Sequence, residues 1–93
     1  MAKTIWKFEL ETTDNQTIEM PIGSKILTVQ TQNGKVCLWA LVDPTVIKVK
    51  VFIDIFGTGH EIHYGENIIR NYLGTYQLQN GDLVFHVFER FFE

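Results

Sequence analysis

The chain has 93 residues, 45% hydrophobic and 20% charged, and its 8 basic and 11 acidic side chains leave a formal charge of −3. That length encloses one core rather than two, and that balance of apolar to charged residues excludes a disordered chain. The negative sign argues against nucleic acid as a partner: Lys25, Lys35, Lys48 and Lys50 gather within residues 20–53 against Asp43 alone, too few cations for a surface that tracks phosphates.

The first element is "TIWKFELE". Trp6, Phe8 and Leu10 alternate with Lys7, Glu9 and Glu11, the period of two that marks a half-buried strand. Charges in this stretch break up what would have to be the apolar part of a signal peptide, and no apolar run approaches the ~18 residues that cross a bilayer, so no membrane association is expected. Next come "KILTVQTQ" and "VCLWALV", separated by Asn33-Gly34, a dipeptide that tolerates positive φ and fits a two-residue type I′ hairpin. Because "VCLWALV" is apolar on both alternating sets, it reads as a central strand, or as one whose outer face meets a partner. Its Cys37 is the sole cysteine, so no internal disulfide forms, and in this apolar setting it acts as a small hydrophobe. Asp43-Pro44 ends the strand.

Val46 to Phe56 carries the clearest alternation, with Ile47, Val49, Val51, Ile53 and Ile55 as the inward set. "GENIIRNYL" is the one stretch that suits a helical turn, near residues 65–72. A second Asn-Gly pair, Asn80-Gly81, divides "YLGTYQLQ" from "DLVFHVFERFF" and predicts a closing hairpin. Strands without crossover helices pair antiparallel. The expected fold is therefore all-β, one domain over residues 1–93, a small antiparallel β-sandwich or partly open barrel of six to seven strands.

Chemistry concentrates in "IFGTGHEIHYGEN", residues 55–67. His60 and His63, with His86 from the last strand, are candidate metal ligands, and Glu61 would then serve as general base of a metal-dependent hydrolase. A single H-x-x-H pair is a weak signature, and His86 alternates with Val84 and Phe88 as a packed histidine would. The G-x-G of Gly57 and Gly59 has no helix after it to make a phosphate loop, so it reads first as a bend. Ser24 is the sole serine, and nothing groups it with a histidine and a carboxylate. A ligand pocket, if built here, would use Lys48 and Lys50 for charge, Gly57, Thr58, Gly59 and His60 for polar contacts, and Trp39 or Phe56 for stacking on the ring of a nucleotide-like anion. No cofactor signature is present.

Aromatic load is the remaining signal. Twelve aromatic residues are many for a core of this size, and "FHVFERFFE" places Phe85, Phe88, Phe91 and Phe92 on both faces of one strand. Phe88, Phe91 and Phe92 are the expected interface of a homodimer or small homo-oligomer, with the terminal strand offering free edge groups for pairing.

Taken together, "KTIWKFEL", "TIEMP", "CLWALVDP", "GTGH" and "LVFHVFE" resemble a family of small proteins from tailed-phage and prophage genomes whose function is unknown. The resemblance spans nearly the whole chain. It implies a phage accessory protein made in the bacterial cytoplasm, and it brings no catalytic residue with it. The function expected is binding without catalysis, by blocking a host protein or sequestering a small anionic ligand; the alternatives are the histidine-based hydrolase and a component of the virion or its assembly.

Overall fold

The computed structural model describes residues 2–93, which form seven strands: β1 (Thr4–Glu9), β2 (Asn15–Pro21), β3 (Lys25–Gln32), β4 (Lys35–Val42), β5 (Lys48–Gly57), β6 (Ile68–Leu78) and β7 (Leu83–Phe92). They make two antiparallel sheets, one of three strands in the order β1-β4-β3 and one of four in the order β2-β5-β7-β6. The sheets stack as a sandwich and do not close into a barrel.

Local chemistry accounts for most of these elements. Asn33 and Gly34 both take positive φ, 52° and 79°, and turn β3 directly into β4. Asp43 ends β4 by accepting the amide and hydroxyl of Thr45 at 2.9 and 2.6 Å, a turn that also holds its carboxyl below the usual aspartate range. As its pattern suggests, β4 is the central strand of its sheet, and Cys37 is buried. A single 3-10 turn at Gln79–Gly81 joins β6 to β7.

Val36, Leu38, Ala40 and Val42 from β4 pack against Val51, Ile53 and Ile55 from β5, Val87 from β7 and Tyr76 from β6. Tyr76 stacks on Phe85 with centroids 5.4 Å apart, and its hydroxyl bonds to Thr12 Oγ1 at 2.8 Å, which ties the β1–β2 connection to the core; burial raises the Tyr76 pKa. The sheets come closest where β3 meets β6. A Cβ at Gly74 would stand 3.1 Å from Val29 Cβ, so any side chain there would have to push Val29 aside by a few tenths of an ångström. A bulge between Tyr72 and Gly74 inserts Leu73, which also packs against the core.

The sequence allows at most one short helical turn near 65–72; Ile68 begins β6 there, and the 3-10 turn lies at Gln79–Gly81 instead. Two sequence expectations are corrected. Ile47 lies before β5 and is 73% exposed rather than inward. The C-terminal strand is not an edge: β7 sits between β5 and β6, so its backbone groups are already paired.

That last placement has a topological result. With β7 antiparallel to both neighbours, β5 and β6 run parallel, so residues 58–67 must return the chain along the length of β7 before β6 can start. From Gly57, opposite Phe85, to Ile68, opposite Phe92, the return is about 24 Å at roughly 3.4 Å per strand residue, within the ~34 Å reach of a ten-residue segment. "TGHEIHYGEN" is therefore a crossover strap.

Candidate functional site

Residues that face each other across an antiparallel pair lie on one side of the sheet. Register puts Phe52, Asp54 and Phe56 of β5, His86, Phe88, Arg90 and Phe92 of β7, and Arg70 and Tyr72 of β6 on the outer face of the four-stranded sheet, away from the aliphatic core. Aspartate disfavours the middle of a strand. Here Asp54 is 1% exposed although it points outward, because two arginines close over it. Arg70 Nε donates to Asp54 Oδ2 and Arg90 Nη1 donates to Oδ1, both at 2.8 Å.

Each guanidinium lies between two aromatic rings. The Arg70 carbon is 5.3 Å from the Phe56 centroid and 4.8 Å from that of Tyr64, and the Arg90 carbon is 5.6 Å from Phe52 and 5.4 Å from Phe92. Such contacts contribute about 0.5–2 kcal/mol each, and here they also fix the plane of each guanidinium. Arg70 Nη1 additionally donates to the His63 carbonyl at 2.9 Å, so the arginine that neutralises Asp54 also holds the crossover strap against the sheet. Arg90 Nε is buried without an acceptor among the described residues.

Between strap and sheet lies a cleft of about 340 Å³, bordered by Asp14, Asn15, Asp54, Phe56, His60, Glu61, His63, Arg70 and Arg90. Its floor is the arginine-aspartate cluster, and its rim carries the exposed Asp14 and Glu61, the latter 3.5 Å from His63 Nε2. Two guanidiniums face three carboxylates, which makes the cleft amphoteric rather than basic.

The residues expected from sequence to form a pocket are divided by the fold. Phe56 and His60 border the cleft, and Gly57, Thr58 and Gly59 stand where β5 passes into the strap. Thr58 is already engaged: its amide donates to the Val84 carbonyl at 3.1 Å and its hydroxyl lies 2.7 Å from His86 Nε2. Lys48 and Lys50 are at the far end of β5, with Lys48 Nζ 5.8 Å from the Trp6 ring and Lys50 across from Glu19. Trp39 belongs to the other sheet, on β4, and pairs with Lys7 and Thr28.

His86 is held apart from the other two histidines, its Nε2 facing Thr58 and its Nδ1 3.0 Å from Thr75 Oγ1. Among the described residues no three of His, Cys, Asp or Glu come together to hold a metal ion. His60 and His63 both border the cleft. Of the expected interface, Phe88 is half-buried between Phe56 and Tyr72, at 5.9 and 5.6 Å, whereas Phe91 and Phe92 remain 39% and 62% exposed.

Sequence reasoning missed Asp54, Arg70 and Arg90. A signal was present: an aspartate within "VFIDIF" and an arginine within "FERFF" are ionic residues on strands otherwise filled with apolar ones, and each asks for an opposite charge.

No helix among the described residues is long and apolar enough to cross a membrane. No curated protein and no solved structure matches the chain. A family model described as a domain of unknown function, DUF7352, matches residues 1–92, and the chain belongs to that family.

Proposed function

We propose that this protein is a phage accessory protein of the bacterial cytoplasm that acts by binding, without catalysis, as a homo-oligomer assembled through the open end of the β6–β7 pair. The observation that carries the self-association is the position of Phe91 and Ile69. They pair with each other on the inner face of the sheet, the face that is core elsewhere, yet are 39% and 40% exposed. Phe92 adds an exposed ring on the other side of the same end. An inner sheet face left uncovered is the surface a second copy would cover, since an apolar patch of this kind favours association by removing area from water.

The molecule is also thin for its length. Its extents are 42 × 37 × 15 Å and its radius of gyration is 13.8 Å, against about 12.3 Å for a compact domain of this length. A slab two sheets deep gains from lateral company. Light scattering on the intact chain is expected to give the mass of a dimer or small oligomer at about 50 μM, and a clean monomer there removes the proposal.

A second reading, that the protein sequesters a small anionic ligand, is favoured by the cleft beneath the crossover strap, where Phe56 and His60 lie beside two arginines. Phage origin is supported by the sequence segments quoted above. A virion role predicts copurification with particles, which the binding role does not.

A further inference from the structure

The crossover cleft carries a chemical preference that can be argued from its charges, and the argument rests on the reading that the cleft holds a ligand. On the floor, Asp54 satisfies one positive charge of two. Arg70 and Arg90 have side chains only 8% and 22% exposed, so a surplus positive charge is held where little water reaches it. Arg90 donates to Asp54 alone among the described residues, although a guanidinium has five N–H groups. A carboxylate suits this floor, because planar guanidiniums bind planar oxyanions with paired hydrogen bonds.

The rim has the opposite sign. Asp14 and Glu61 stand exposed at the mouth, and the Asp14 carboxylate makes no hydrogen bond or ion pair among the described residues. Polyanions are repelled there, and simple cations meet the positive floor. Volume is compatible with a small ligand: about 340 Å³ lies close to the lower bound for small-molecule pockets.

We propose that the cleft binds a small amphoteric molecule, an amino acid or ω-amino acid, with its carboxylate on Arg70 and Arg90 and its ammonium between Asp14 and Glu61. Phe56 packs on the hydrocarbon between the two charges. The strap is part of the site, since Arg70 both forms the floor and holds the His63 carbonyl. Occupancy therefore restrains residues 60–64.

The test is a two-dimensional amide NMR titration of the intact chain with glycine, β-alanine and 4-aminobutanoate, and with acetate, methylammonium, inorganic phosphate and 5′-AMP as controls. At least one amino acid is expected to shift the signals of residues 54, 56, 60–63, 70 and 90 saturably, with an affinity at least roughly tenfold better than acetate. Asp14→Asn, which removes a rim charge and leaves the floor intact, is expected to erase most of that advantage, weakening amino acid binding while leaving acetate binding no weaker. Arg90→Lys is expected to weaken both amino acid and acetate. The proposal is overturned if no amino acid shifts those signals at about 10 mM, or if acetate binds as well as every amino acid. Tighter binding of phosphate or 5′-AMP than of any amino acid also overturns it while leaving the anion reading in place, and silence from all seven compounds removes both.

Discussion

Val87 and Phe91 lie four residues apart on the same face of the same strand, yet Val87 is completely buried and Phe91 is 39% exposed. The strand does not change between them; what changes is the cover. Three strands lie over four, and at the Ile69–Phe91 end the inner face of the larger sheet is left partly exposed. Glu89 marks the boundary. It stands on this inner face between the buried and open regions, and partial burial pushes its carboxyl above the usual glutamate range. A sheet face can thus be core at one end and surface at the other, and composition alone does not reveal where one becomes the other.

The largest expected effect comes from the opposite side of the covered region. Asp54→Ala leaves two desolvated guanidiniums without their carboxylate, and chemical denaturation should give a loss of about 3–5 kcal/mol. An unchanged midpoint would mean that the cluster is solvated and not a buried ionic floor. Ile53→Ala, in the fully covered core, should cost about 2–5 kcal/mol by the same measurement. Gly74→Ala is smaller: the added methyl must displace Val29 at the closest approach of the sheets, for about 1–3 kcal/mol.

Phe91→Ser should behave unlike all of these. Because the ring is only partly covered within one chain, thermal stability at low concentration should fall little, while the dissociation constant for self-association rises by roughly tenfold or more. If instead Phe91→Ser unfolds the isolated chain as Ile53→Ala does, the two ends of the inner face are equivalent and the comparison fails.

The smallest effect concerns pH. Raising the folded-state pKa of Glu89 means that the native chain holds its proton at pH values where the unfolded chain has lost it. Stability therefore falls as pH rises from near the free glutamate value of 4.5 through the raised one. Glu89→Gln should remove that slope and raise the thermal midpoint at neutral pH, with the difference vanishing below 4.5. If a second copy covers Glu89 further, self-association should also strengthen on acidification, and the substitution should abolish that trend.

Much of the sheet was legible in the sequence, because one apolar face and Asn-Gly turns impose a period and a register. β5 and the β3–β4 hairpin follow from alternation and Asn33-Gly34. β6 was harder to read. Ile68, Ile69, Tyr72 and Leu73 recur at a spacing that mimics a helical stripe, and the cause is a strand with apolar residues on both faces and a bulge at Leu73. The strap was visible as a glycine-rich bend, but its path depends on strand order, with β7 inserted between β5 and β6. No local pattern states that order. Asp54, Arg70 and Arg90 come together through the same long-range pairing, so the floor of the cleft could be suspected residue by residue but not assembled.

The central claim is that the uncovered end of the β6–β7 pair meets another copy, and a dilution series of amide NMR spectra tests it at the level of residues. Between high and low micromolar protein, concentration-dependent shifts are expected to concentrate at residues 68–71 and 89–92. Spectra that do not change with concentration, or that change only on the outer face of β4, would contradict it.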